Sequence, residues 1–201
     1  MFTLNSLLRA TRRLGNVFMD ISIGRKDPRR VTFELFYKKC PVASENFLKL
    51  CTGENVLPQV SSVEGLGNPS FGDQFLPQLT YRGTTFHRVC QGYLVQGGDI
   101  VSDRGTEQLS IYGETFDAPK EVQESVFDRK GLLGTAVSAP HLNGSQFFIL
   151  TANGAPHLNG TCICFGRVVD GWDVIETMER ISVRPDGFPS ERIEVVHCGA
   201  T

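Results

Sequence analysis

Two stretches decide the fold of this chain: residues 86–99, which read FHRVCQGYLVQGGD, and residues 143–149, which read NGSQFFI. Each couples the apolar alternation of a strand to a few polar residues that a buried barrel face does not require. Arg88 and Gln96 stand among aromatic and aliphatic residues of these stretches. Because a guanidinium and an amide both form hydrogen bonds to peptide groups, the pattern indicates a site for an amide-bearing ligand.

Length and composition bound the class of protein. The 201 residues are enough for one well-packed domain, and a hydrophobic content of 40% with 21% charged residues is typical of soluble globular proteins. The 21 glycines and 10 prolines favour short strands and many turns. A formal net charge of -2 gives no electrostatic argument for nucleic acid, and no apolar run approaches the roughly 20 residues that span a bilayer. We therefore expect neither a nucleic-acid nor a membrane partner, and we expect a monomer.

The six cysteines favour a reducing compartment. They form no CxxC motif, and no histidine lies at zinc-ligand spacing from them. The sequence therefore predicts free thiols that pack as small apolar groups, no metal site and a cytoplasmic location.

The first sixteen residues, MFTLNSLLRATRRLGN, contain three arginines, and no acidic residue precedes Asp20. Two interpretations stay open: a loosely docked tail, or a short organelle transit peptide, which makes a mitochondrial location the alternative. We predict residues 1–16 as this tail or targeting segment and residues 17–201 as the folded domain.

Hydrophobic periodicity predicts mostly short strands. Residues 17–23 and 31–36 alternate apolar with polar side chains, as half-buried antiparallel strands do, and further short strands are predicted near residues 85–88, 94–97, 132–136, 146–150, 163–168 and 193–197. Helices are predicted from Pro41, with Ser44 on the exposed face, and over residues 172–181, with Asp170 as N-cap. Residues 55–81 show no sustained period and are predicted as a long loop insertion. This pattern favours a closed β-barrel capped by two helices.

Several motifs in order resemble those of the cyclophilins, the peptidyl-prolyl cis-trans isomerases. DISIG, FELF, ENFLKLCTGE, FHRV, QGGD, SIYGE, NGSQFF and FGRVVDG all occur in the family's order, between about residues 17 and 199. The resemblance implies an eight-stranded antiparallel barrel with a helix at each end and an active groove on its outer face. It also implies clients that contain proline, and no cofactor.

The resemblance also assigns roles to individual residues. It implies that Arg88 is the catalytic arginine and that Gln96 contacts the substrate backbone; the alternatives are an ion-paired surface arginine and a strand glutamine that bonds a loop. The other substrate-binding positions that it implies, several of which could equally be core residues, are Tyr93, Leu94, Ala136, Val137, Gln146, Phe148, His157, Leu158 and Cys162.

Five of these positions depart from the family's usual pattern. Leu94 stands where many members carry Met, and Tyr93 replaces Phe and adds a hydroxyl that needs a partner. Val137 stands where Asn is common, and Cys162 replaces a His. His157 falls near the family's Trp, although the segment APHLNG carries an apparent one-residue insertion. Since that Trp commonly contributes to cyclosporin binding, we hypothesise weakened affinity for cyclosporin.

Two functions remain in competition. The first is a peptidyl-prolyl isomerase that assists protein folding, with reduced activity because fewer polar side chains line the rim of the groove. The second is a cyclophilin-like module that docks proline-containing segments within a larger assembly, with little or no catalysis. The altered rim and the insertion at residues 55–81 motivate the second, because a long loop beside a groove is a natural partner surface.

Overall fold

The computed structural model describes residues 15–54, 79–137, 139 and 142–201. Within these ranges the chain is mainly β, with eight strands, three α-helices and one short 3-10 helix. In chain order the elements are β1 (Val17–Ile23), β2 (Arg29–Leu35), α1 (Pro41–Thr52), β3 (Arg88–Cys90), β4 (Leu94–Gly97), α2 (Pro119–Gln123), β5 (Leu132–Thr135), β6 (Phe147–Leu150), the 3-10 helix (Pro156–Leu158), β7 (Cys164–Asp170), α3 (Trp172–Glu179) and β8 (Ile193–Ala200).

All eight strands belong to one antiparallel sheet in the order β3-β4-β6-β5-β7-β2-β1-β8. The register shifts by a residue at three places, between Asp20 and Ile21, between Thr32 and Phe33, and between Leu133 and Gly134. Such irregularities bend strands and increase their twist, so they curl this sheet around the apolar side chains of its inner face.

The predicted closed barrel is corrected to a strongly curled half-barrel that stays open. The end strands β3 and β8 do not pair with each other in the described part of the chain. Thr85 forms an isolated bridge with Glu194, and the Phe86 N–H donates to the Ile193 carbonyl at 2.9 Å. These contacts bring the two edges together, but the segment that makes them ends before β3 begins, so no continuous ladder closes the sheet.

Two helices agree with the predicted starts, and a third was not predicted. The five-residue helix α2 is too short to show a hydrophobic period. It nevertheless supports α1, because the carboxylate of Glu121 accepts hydrogen bonds from the Val42 and Ala43 N–H groups at 2.7 and 3.2 Å. The donors at the start of α1 thus find a partner in another helix, since no side chain of its own segment caps it.

Two side-chain predictions for the helices were wrong. Ser44 is buried, not exposed, and its hydroxyl donates to the Phe165 carbonyl at 3.4 Å, because strand β7 packs against that side of α1. Asp170 is the last residue of β7, and the N-cap of α3 is Gly171 in a left-handed conformation with φ of 82°. Only glycine adopts that conformation without steric cost, which explains why the strand turns into the helix there.

The main core fills the inside of the curled sheet and is covered by α1 and α3. Its centre is the Phe47 ring on α1, whose centroid lies 5.0 to 5.9 Å from four other aromatic rings, those of Phe33, Tyr81, Phe147 and Phe165. Aromatic rings at these separations add to the free energy gained by burying them. This core fixes the strands, and thereby the residues on their outer faces.

Parts of two predicted segments lie outside the described residues. They are residues 1–14 of the N-terminal segment and residues 55–78 of the insertion. The last residues of the predicted insertion return to the fold, since Leu79 and Tyr81 are buried in the main core. No helix within the described ranges is long and apolar enough to cross a membrane.

Candidate functional site

A row of four cross-strand partners runs over the outer face of the sheet. Arg88 on β3 pairs with Gln96 on β4, Gln96 pairs with Phe148 on β6, and Phe148 pairs with Gly134 on β5. We call these four residues the outer row. Neighbouring strands lie about 4.8 Å apart and partners share a face, so the cation stands about 10 Å from the aromatic residue at the level of the backbone. The strand pairing thus places a cation, an amide and an aromatic ring side by side.

A directed chain of hydrogen bonds begins at Arg88. Its Nη1 donates to Gln96 Oε1 at 3.2 Å, Gln96 Nε2 donates to Gln146 Oε1 at 2.9 Å, and Gln146 Nε2 donates to the Glu107 carbonyl at 2.7 Å. We call this the amide chain. Arg88 is exposed while Gln146 is buried, so the chain runs from solvent into the protein. Because a guanidinium carries five N–H donors, the bond to Gln96 orients Arg88 and leaves it able to donate to a ligand.

The apolar residues of the predicted site all lie in a second apolar cluster, separate from the main core. We call it the pocket cluster. The predicted residues within it are Tyr93, Leu94, Ala136, Val137, Phe148, Leu158 and Cys162. Leu94, Phe148 and Cys162 are buried, whereas the other four are partly exposed. A cluster that is only partly covered offers apolar surface to a ligand beside the amide chain.

Gly134 lets the Phe148 ring lie against the sheet. A Cβ added at Gly134 would overlap the tip of that ring. The ring also packs on Phe127, with centroids 5.6 Å apart and the planes tilted by 34°. The absence of a side chain at Gly134 therefore allows the observed position of the Phe148 ring.

Tyr93 and His157 form a polar rim on the pocket cluster. The Tyr93 hydroxyl and His157 Nε2 are 2.7 Å apart, and the two ring centroids are separated by 5.6 Å. The hydroxyl that this chain carries at position 93 thus has a partner, which the sequence left open. His157 is exposed, and partial burial raises the pKa of Tyr93, so its phenol stays protonated at neutral pH.

Cys162 lies in the pocket cluster as a neutral thiol. Burial raises its pKa to about 11, and all six cysteines of the chain are free. A protonated thiol is a weak nucleophile and behaves as a small apolar group. Cys162 and Val137 therefore contribute apolar surface where the resemblance implies His and Asn.

The sequence did not indicate the residues at the inner end of the amide chain. Glu107 takes part through its backbone carbonyl, which has no signature in the sequence. Asp99 is fully buried and holds the loop that carries Glu107. The available signal was the aspartate after two glycines in QGGD, at the end of a predicted strand, and the sequence does not show that this carboxylate is buried.

The arrangement can hold an apolar ring and present N–H donors beside it. The donors belong to one guanidinium and the amides that orient it, and the apolar surface lies one to two strands away. In the ranges that the structure describes, no group of three or more His, Cys, Asp or Glu side chains is placed to hold a metal ion.

Comparison with known protein families agrees with this geometry. The family model described as cyclophilin type peptidyl-prolyl cis-trans isomerase/CLD matches residues 18–200. The match spans nearly all of the 201 residues and includes every residue of the outer row and of the pocket cluster. The chain belongs to the cyclophilin-type peptidyl-prolyl cis-trans isomerase family.

Proposed function

We propose that this protein catalyses the rotation of X-Pro peptide bonds and thereby assists the folding of proline-containing clients. The observation that carries the proposal is the outer row, which sets an oriented arginine beside an aromatic residue of a partly open apolar cluster. Family membership supports the same activity.

The chemistry of the reaction fits these residues. Rotation about an X-Pro amide meets a barrier of about 18 to 20 kcal/mol that arises from resonance, and no bond is made or broken. The reaction therefore requires no nucleophile, metal or cofactor. In the twisted amide the prolyl nitrogen regains its lone pair, which can accept a hydrogen bond. A donor that binds this state more tightly than the planar amide lowers the barrier.

We assign the binding of the proline ring to the pocket cluster. Phe148 and Leu94 are its buried floor, and Tyr93 and Leu158 are partly exposed members that would contact the ring. Arg88 would donate to the prolyl nitrogen, while Gln96 orients Arg88 and contacts the peptide backbone. The ring is then held while the residue before proline turns.

A peptide-docking role is the second candidate, and the rim favours it. The Tyr93–His157 hydrogen bond and the apolar Val137 and Cys162 give the pocket cluster fewer polar groups for substrate than the resemblance implies. Such a site would bind a proline segment with little acceleration of rotation.

Exchange NMR on an Ala-Pro peptide distinguishes the two candidates. With the protein at a small fraction of the peptide concentration, we expect cross-peaks between cis and trans resonances on a time scale of seconds or less, whereas uncatalysed rotation takes tens to hundreds of seconds. Shifted peptide resonances without faster exchange would contradict the isomerase proposal and support docking. Heat-denatured protein is the control for exchange that does not depend on the fold.

A further inference from the structure

One buried carboxylate shapes the loop over residues 99–107. Asp99 lies two residues after β4 and is 0% exposed. The Ser102 hydroxyl donates to it at 2.5 Å. Its oxygens also accept hydrogen bonds of 2.8 to 3.2 Å from backbone N–H groups, those of Val101, Ser102, Arg104, Gly105, Thr106 and Glu107. Because a single side chain holds so many backbone groups of this loop, its position determines the path of the loop.

The end of this loop is the inner end of the amide chain. Asp99 accepts the N–H of Glu107 at 3.2 Å, and the carbonyl of the same residue accepts Gln146 Nε2 at 2.7 Å. The carboxylate and the amide chain thus bind the two sides of the same residue, Glu107. Moving the carboxylate or reducing its accepting capacity therefore moves the carbonyl that Gln146 bonds.

The two ends of the amide chain require the same order of donors and acceptors, and that carbonyl anchors the inner end. A carbonyl can only accept, so Gln146 must present its NH2 group to Glu107 and its oxygen to Gln96. Gln96 must then present its NH2 group to Gln146 and its oxygen to Arg88, which can only donate. If the Glu107 carbonyl turned away, Gln146 Nε2 would lose its acceptor, and both amides would be free to shift, so that Gln96 Oε1 would no longer be held in place against the guanidinium.

We propose that Asp99 is a positioning residue for Arg88. Its carboxylate fixes the Glu107 carbonyl, which anchors Gln146 and through it Gln96, and the anchored Gln96 amide orients the guanidinium. The catalytic consequence depends on the proposed isomerase function, whereas the dependence of the amide orientations on Asp99 does not.

Two other contacts attach the loop to the segment before β3. The Asp103 carboxylate accepts the Thr85 N–H at 2.6 Å and the Thr85 hydroxyl at 2.7 Å. The His87 ring lies against Gly105, where a Cβ would meet the imidazole at 2.5 Å. The loop therefore keeps attachments that do not depend on Asp99, and we expect an Asp99→Asn variant to fold.

The decisive test measures Asp99→Asn in two backgrounds, wild type and Arg88→Ala, by exchange NMR at saturating Ala-Pro peptide. In the wild-type background we expect the cis–trans exchange rate to fall about tenfold, because a small misplacement of a catalytic group lowers the rate of the catalysed step. We expect the peptide Kd to change less than about twofold, since the pocket cluster is untouched. In the Arg88→Ala background we expect no further fall. An equal fall in both backgrounds would mean a general loss of structure and would overturn the proposal.

A second measurement does not depend on activity. In 15N-labelled protein without peptide, the side-chain NH2 resonances of Gln96 and Gln146 should shift in Asp99→Asn, because their partners change. Unchanged resonances would overturn the proposal even if the rate falls. If the wild-type protein does not accelerate exchange, the proposed function fails while these resonances still decide the role of Asp99.

If the Asp99→Asn variant does not fold, a milder variant, Ser102→Ala, can be used in its place. Ser102→Ala removes one hydrogen bond to the Asp99 carboxylate and leaves the carboxylate in place. We expect the rate to fall about threefold in the wild-type background, in line with the loss of one hydrogen bond, and not at all in Arg88→Ala. No change in either background, or the same fall in both, would contradict the assignment.

Discussion

Two neighbouring rows of residues cross the same four strands with opposite consequences. The outer row is Arg88, Gln96, Phe148 and Gly134, and the inner row, shifted by one residue on each strand, is Val89, Val95, Ile149 and Leu133. Every side chain of the inner row is buried in the main core. The outer row runs from an exposed cation to a buried aromatic residue of the pocket cluster.

The difference lets one sheet hold a packed core and the proposed site. Side chains alternate between the faces of a strand, so one backbone register positions both rows. The inner row is uniformly apolar because all of its side chains pack in the main core. The outer row combines groups that packing alone would not select, which is why we place the proposed site there. Substitutions in the two rows should therefore change different measurable quantities.

The largest contrast is expected between Phe147→Ala and Phe148→Ala, which are adjacent residues on opposite faces. Phe147 packs its ring within 5.0 to 5.6 Å of the Phe47, Tyr81 and Phe86 rings, so its loss should cost about 3 to 5 kcal/mol of unfolding free energy. Among the described residues Phe148 has one such ring neighbour, Phe127, and its loss should cost less but weaken peptide binding at least about tenfold. Urea unfolding and peptide titration measure the two effects.

Equal losses of unfolding free energy and of peptide affinity in Phe147→Ala and Phe148→Ala would contradict the separate roles of the two rows. Phe147→Ala that remains folded should bind the peptide within about threefold of wild type, because distant, independent sites behave additively. A selective loss of affinity in Phe147→Ala would mean that the inner face takes part in binding.

The unfolding free energy should fall in acid because of Asp99, a buried group that belongs to neither row. Burial by itself raises the pKa of Asp99, but hydrogen bonds from the Ser102 hydroxyl and from the Ser102, Glu107 and Val101 N–H groups outweigh it and hold the pKa well below its ordinary value. The carboxylate is charged in both folded and unfolded chains above about pH 5, and below about pH 4 the unfolded chain takes up the proton first. Its contribution, of the order of 2 kcal/mol, is therefore lost as pH falls toward the folded-state pKa.

Urea unfolding at several values between about pH 5 and pH 2 tests this prediction. The unfolding free energy of the wild type should fall more steeply with acid than that of Asp99→Asn, which has no carboxylate to protonate. Equal slopes for the two proteins would show that Asp99 has no lowered pKa in the folded state.

Gly134→Ala should disturb the outer row through its smallest member. The added methyl group overlaps the Phe148 ring, which must move away from the sheet. Overpacking of this kind typically costs about 1 to 3 kcal/mol of unfolding free energy, and the displaced ring should also weaken peptide affinity. Adding Phe148→Leu to Gly134→Ala should recover part of the stability, as a double-mutant cycle in urea would show. Strict additivity would mean that the two residues do not compete for space.

The smallest effect concerns the rim of the pocket cluster and cyclosporin. We expect weak binding of cyclosporin to the wild type, because His157 is bonded to Tyr93 and offers less apolar area than a Trp. His157→Trp should tighten binding by about tenfold, as a buried Trp at an interface is commonly worth more than 1 kcal/mol. Calorimetric titration measures it, and Tyr93→Phe, which removes the hydrogen bond and keeps the ring, is the control. Tight binding by the wild type would contradict the expectation.

Alternation along the strands predicted much of the site from the sequence. Arg88 and Gln96 were identifiable because polar residues interrupt otherwise apolar strands, and the family resemblance assigned Gln146 and the apolar positions that lie together in the pocket cluster. The roles of these residues stay predictions until the variants are measured.

Features that depend on tertiary contacts could not be predicted. The exposed face predicted for Ser44 was wrong because the sequence of α1 does not show that β7 covers that side. Closure of the sheet depends on which residues between 83 and 90 pair with β8, and the strand pattern of that segment is the same in an open and a closed barrel. The link from Asp99 through Glu107 to Gln146 uses backbone atoms, which every residue has.

The central claim is that the pocket cluster binds the peptide and Arg88 accelerates its rotation. The most direct test compares wild type, Arg88→Ala and the exposed-arginine control Arg25→Ala, with Kd from titration and the rate from exchange NMR at saturating Ala-Pro peptide. For Arg88→Ala we predict a cis–trans exchange rate that is lower by at least about 100-fold, because removing one donor to a transition state typically costs that much. Its Kd should stay within about threefold, and Arg25→Ala should match the wild type. A rate that persists in Arg88→Ala, or one that falls only in proportion to lost affinity, would contradict the account.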